Sequence, residues 1–95
     1  MRSKYRSKTE ITAQILHSAN SRNDATKTRI MYDAFLTYSQ LKEYLILLVE
    51  NGLLEHDEVG RTYKTTEKGL KFLNIYEQME ELMMTERNLP KIQNK

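Results

Sequence analysis

The 95-residue chain carries 15 Lys and Arg against 13 Asp and Glu, a net charge of +2, and no cysteine. Its length allows one domain with one modest core, and the lack of thiols excludes disulfides, thiolate metal sites and thiol catalysis. The longest apolar run, Leu45 to Val49, falls far short of the roughly 20 residues of a membrane span, so a soluble cytoplasmic protein is expected.

Residues 1–8 form a basic arm, Arg2, Lys4, Arg6 and Lys8 around Tyr5, without the apolar stretch of a signal peptide. The arm is expected to be flexible or to lie along a polyanion. Ser7 with Glu10 three residues later is a capping box, and Ile11, Ile15 and Ala19 then recur at four-residue spacing, predicting a helix from about Lys8 to about Asn20. The polar cluster Asn20 to Asp24 ends it.

Thr26 is placed to cap a second, short helix whose apolar members are Ile30, Met31, Ala34 and Phe35. Thr37 or Ser39 caps a third, fastened to the core by Leu41, Tyr44, Leu45 and Leu48. Asn51-Gly52 stops it, where glycine tolerates the left-handed backbone. Beyond Gly52 the pattern turns extended. Leu53 to Asp57 and Arg61 to Thr65 flank Glu58-Val59-Gly60, which predicts a hairpin.

Thr66 caps a last helix with Glu67 at its positive end. Leu70 and Leu73 are expected to face the domain core, while Phe72, Ile75, Met79, Leu82 and then Leu89 form a heptad-like seam. Pro90 is expected to end the helix and residues 90–95 to fray. The seam is too short for an isolated coiled coil but long enough to pair two folded domains, which predicts a homodimer. The alternative is that it folds back on its own domain.

The fold expected is therefore mainly α with a small β-hairpin. It is a winged helix-turn-helix over residues 9–69, with an extended C-terminal dimerisation helix over 66–89. Charge distribution agrees with a nucleic-acid-facing side. Eight bases oppose four acids through Leu47, whereas seven oppose nine beyond it, although a solvated basic terminus that binds nothing has the same composition.

Double-stranded DNA is the partner this pattern implies. With Leu41, Tyr44, Leu45 and Leu48 inward, the third helix turns Ser39, Glu43, Ile46 and Glu50 outward, flanked by Gln40 and Lys42. The amino-terminal half enters the major groove, so Ser39, Gln40, Lys42 and Glu43 are the base-edge candidates. Lys27, Thr28 and Arg29 open the second helix as backbone contacts. Arg61 and Lys64 lie on the far limb of the wing, and Tyr38 is either a phosphate donor or a core plug. Ile46 with Leu47, beside Glu43 and Glu50, suits a competing reading as a protein-interaction module.

Enzyme chemistry has little foothold. His17 and His56 lack metal-ligand spacing. The only glycines, Gly52, Gly60 and Gly69, make no phosphate-cradling loop or nucleophile elbow. Glu77, Glu80 and Glu81 read as a solvated face. No catalytic residue, metal site or cofactor is expected.

The segments Thr28 to Tyr32, Leu36 to Tyr38, Tyr44-Leu45, Gly52-Leu53 and Thr66 to Gly69 resemble the archaeal winged-helix proteins that include the small dimeric chromatin proteins of Sulfolobus and many predicted transcriptional regulators. The resemblance spans roughly Thr9 to Leu82. It implies a DNA-binding, nucleoid-associated protein dimerised by an antiparallel coiled coil of its last helix. The terminal helix is shorter and the net charge weaker than in the chromatin members, which favours a dimeric transcriptional regulator over a nucleoid-architectural binder.

Overall fold

The computed structural model describes residues 6–21 and 25–93, with side chains as far as residue 84. Six elements follow one another: α1 (Lys8–Asn20), α2 (Lys27–Asp33), α3 (Tyr38–Glu50), β1 (Leu54–Asp57), β2 (Thr62–Thr65) and α4 (Glu67–Gln93). The arm residues Arg2, Lys4 and Tyr5, and Asn23 and Asp24 of the expected turn, lie outside the described residues.

Caps set the helix starts. Ser7 and Glu10 form the reciprocal capping box of α1, and the Thr26 hydroxyl accepts from the Arg29 amide at 3.2 Å to open α2. Thr37, of the two candidates, caps α3, and it does so through a second capping box with Gln40. Each cap satisfies amide donors that a helix start leaves unpaired. Thr66 opens α4, its hydroxyl accepting from the Gly69 amide at 3.1 Å.

Ile15, Leu16, Ala19, Ile30, Ala34, Leu41, Leu45, Leu48, Leu54, Tyr63 and Leu73 make one buried core. The hairpin pairs Leu54 with Thr65 and His56 with Tyr63, and a third strand position is supplied by Ala25, whose carbonyl accepts from the Tyr63 amide at 2.8 Å. The buried Thr65 hydroxyl donates to the Leu16 carbonyl at 2.7 Å, which ties the wing to α1. Gly69 lies where α4 meets the strand entry. A β-carbon there would collide with the Leu53 carbonyl and sit 2.6 Å from the Thr65 methyl carbon.

Several expectations need correction. Phe35 is not a core member of α2: it lies beyond the helix with φ of 53° and is 79% exposed. The Leu36 amide reaches back to the Met31 carbonyl and the Phe35 amide to that of Tyr32, which is the Schellman ending that needs one left-handed residue at this site. Leu70 is 42% exposed while Leu73 is buried, because α4 touches the core along a narrow stripe. Arg6 is not loose: its guanidinium donates to the carbonyls of Ala34 at 2.6 Å and Phe35 at 2.9 Å, and also to Gln14. It thereby satisfies carbonyls at the end of α2. The helical backbone of α4 also runs past Pro90 to Gln93, although an interior proline removes one donor and crowds the carbonyl four residues before it.

Candidate nucleic-acid interface

Leu41, Leu45 and Leu48 fix α3 by one face. The opposite face begins with exposed Ser39, Gln40, Lys42 and Glu43, as helical geometry requires. Further along it, Ile46 and Leu47 are about half exposed and Glu50 is exposed. Gln40 carries a second duty, because its Oε1 accepts from the Thr37 amide at 3.0 Å and hydroxyl at 3.2 Å. A bidentate contact to adenine from Gln40 would have to release that cap. The signal was present as Thr37-x-x-Gln40, the spacing of a capping box.

Lys27, Thr28 and Arg29 are exposed on α2. Tyr38 is 53% exposed, so it does not plug the core. Its ring instead lies under the Lys27 Nζ, 5.7 Å from the ring centroid, within range of a cation–π attraction. The starts of α2 and α3 therefore place one lysine and one tyrosine together.

The wing departs in detail from the hairpin expected. Arg61 belongs to the turn, with φ of 56°, and the left-handed residue is Arg61 where Gly60 was the natural candidate. The Asp57 Oδ1 accepts from the Val59 amide at 3.1 Å and the Gly60 amide at 3.4 Å, an Asx-type closure that holds the turn. Val59 is left 95% exposed at the tip. Lys64 is exposed and faces Glu55 across the ribbon.

Between α3 and the wing lies an open cleft of about 350 Å³, which brings Lys27 and Lys42 together with Ile46, Val49, His56 and Tyr63. His56 was not singled out for DNA contact in sequence. Its ring stacks on Tyr63 with centroids 4.4 Å apart, a contact that depends on strand register. A larger groove of about 540 Å³ runs between α1, the end of α2 and α4, beside Tyr32, Phe35, Leu73 and Tyr76. The Tyr76 hydroxyl is held above the ordinary phenol range, first by burial, then by its hydrogen bond with Glu80 and the negative charges of Glu80 and Glu10.

Along α4, Phe72 is partly buried against its own domain and stacks on Tyr76 at 6.5 Å. Ile75, Met79 and Leu82 are each more than half exposed, as are Met83 and Met84. The Leu89 side chain lies outside the described residues. Among the described residues no helix is long and apolar enough to cross a membrane.

The sequence matches the winged helix-turn-helix family over residues 5–84. In three dimensions the chain is similar to Sso10a-2, a DNA-binding protein from Sulfolobus solfataricus, with a TM-score of 0.63 and 28% identity over 94% of this chain and 90% of that one. Among curated protein sequences there is no match.

Proposed function

The chain belongs to the winged helix-turn-helix family, and from that premise we propose that it is a non-enzymatic binder of double-stranded DNA that acts as a dimeric transcriptional regulator. The observation that carries the reading is the exposed polar first half of α3, Ser39, Gln40, Lys42 and Glu43, held up by three buried leucines behind it. In this reading the half-helix enters the major groove. Lys27, Thr28 and Arg29 meet the backbone on one side, where the Tyr38 ring supports Lys27, and Arg61 and Lys64 meet it at the wing. The likeness to Sso10a-2, itself described as DNA-binding, supports the same partner.

The dimer is read from α4. Its 27 residues span about 40 Å, and exposed Ile75, Met79 and Leu82 leave an apolar stripe that a second copy covers at helical spacing. Light scattering on the purified protein tests this. The wild type is expected to be a dimer and Met79→Glu with Leu82→Glu a folded monomer, whereas a dimer that survives both changes removes α4 from the interface. A palindromic site with half-sites about one helical turn apart follows from such a dimer; a footprint over one asymmetric half-site contradicts it.

One observation favours a second reading. Ile46 and Leu47 are about half exposed on α3, beside Glu43 and Glu50, which repel phosphates, and such a surface suits a protein partner. A DNA binder loses affinity steeply with salt, and a protein-interaction module gives no such isotherm. A steep salt slope without any competitor-resistant fraction would instead assign an architectural role.

A further inference from the structure

We propose that the cleft between α3 and the wing is a seat for one DNA backbone phosphate, in which protonated His56 joins Lys27 and Lys42 so that duplex affinity rises as pH falls. This rests on the DNA-binding reading, moves Lys42 in it from the base edges to the backbone, and adds a residue and a regulatory input. Three cation-capable side chains from three elements, Lys27 at the start of α2, Lys42 in α3 and His56 in β1, line one open space. When α3 occupies a major groove and the wing reaches beyond its edge, the sugar-phosphate strand between them has to cross that space.

The side chains are held ready for it. His56 is exposed to solvent, yet its ring plane is set by the stack on Tyr63, with an interplanar angle of 16°. Lys27 is steered by the Tyr38 ring below it. Side chains already confined lose less entropy when they close on an anion. The floor formed by Leu45, Ile46 and Val49 lowers the local polarity and strengthens charge contacts made above it.

Among the described residues, the charged and titratable neighbours facing His56 are Lys27 from α2, Lys42 and Glu50 from α3, and Tyr63 from β2. Glu55 and Asp57, its neighbours in β1, fall on the other face of the ribbon by strand alternation. Glu50 lies eight residues beyond Lys42, about 12 Å along the helix axis, so the phosphate takes the Lys42 end of the cleft. Histidine is the side chain that changes charge between about pH 8 and 5. The neutral ring offers one N–H donor, whereas the imidazolium offers two donors and a positive charge to the phosphate.

The test is fluorescence anisotropy of a labelled mixed-sequence duplex at pH 8 and pH 5.5, across a salt series at each pH, with the full chain and with His56→Ala, His56→Lys and His17→Gln. The wild type and His17→Gln are expected to bind about tenfold tighter at the lower pH, with a log–log salt slope steeper by about 0.9, the value of one extra phosphate contact. His56→Ala loses that gain, while His56→Lys binds tightly at both pH values. A pH gain retained in His56→Ala overturns the phosphate seat and leaves DNA binding standing. No binding by the wild type at either pH overturns both.

Discussion

The Nζ of Lys27 lies 5.7 Å above the ring of Tyr38, so the first residue of α2 is positioned by the first residue of α3. The contact links the two helices where the reading places the DNA backbone, and it gives Tyr38 a role that needs the ring without the hydroxyl. Tyr38→Phe is accordingly expected to bind DNA as the wild type does, while Tyr38→Ala loses about twofold to fivefold, the worth of an exposed cation–π contact. Equal losses in both variants, by anisotropy at fixed salt, would return the phenol hydroxyl to a direct phosphate contact.

Phe35 holds a left-handed backbone, φ of 53°, at the turn between α2 and α3, a conformation that costs a side-chain-bearing residue about 1–2 kcal/mol. Phe35→Gly relieves that cost and gives back part of it as greater freedom of the unfolded chain. A net gain of about 0.5–1 kcal/mol in urea unfolding is expected. A net loss would show that the ring's contacts along the groove beside Tyr32 outweigh the backbone strain.

Gly69 is required by space. A β-carbon at this position meets the Leu53 carbonyl and the Thr65 methyl, and part of the encounter is backbone that cannot swing aside. Gly69→Ala is expected to destabilise the domain by about 1–3 kcal/mol. Thermal unfolding reads this as a fall of about 4–8 °C for each kcal/mol, and an unchanged midpoint would contradict the packing described.

Tyr76 makes stability fall in alkali. Its folded-state phenol is harder to ionise than in the unfolded chain because of burial, the Glu80 hydrogen bond and the charges of Glu80 and Glu10. The contribution is fully present below the unfolded value of about 10 and is lost as pH rises through the higher folded value. Tyr76→Phe is expected to flatten the decline of the urea midpoint between about pH 9 and 11. An equally steep decline in the variant would place the alkaline sensitivity elsewhere.

The helix starts were legible because Ser7 with Glu10, Thr26 and Thr66 are local signals that need no tertiary context. The hairpin was legible in outline from the change of period after Gly52. Gly52 was legible as the left-handed stop of α3, but the other left-handed residues were not, since propensity points to glycine and the chain uses Phe35 and Arg61, where the hydrogen bonds that end α2 and the turn closure by Asp57 override local preference. Phe72 shares the spacing of the seam yet is partly buried against its own domain, and spacing cannot distinguish a helix face covered by its own domain from one covered by a second copy. The candidate DNA face of α3 followed from helical geometry once its buried leucines were recognised. His56 and Arg6 owe their places to strand register and to contacts between residues distant in sequence, which no local pattern encodes.

The most direct test of the central claim is the affinity of the purified protein for a mixed-sequence duplex as a function of salt. With about five phosphate contacts per bound protein, a log–log slope near −4.5 is expected, and Lys42→Ala with Arg61→Ala should make it shallower by about 0.9 for each contact removed. No isotherm at low salt, or a slope and affinity unchanged by both substitutions, would contradict the assignment of α3 and the wing as the DNA-binding face.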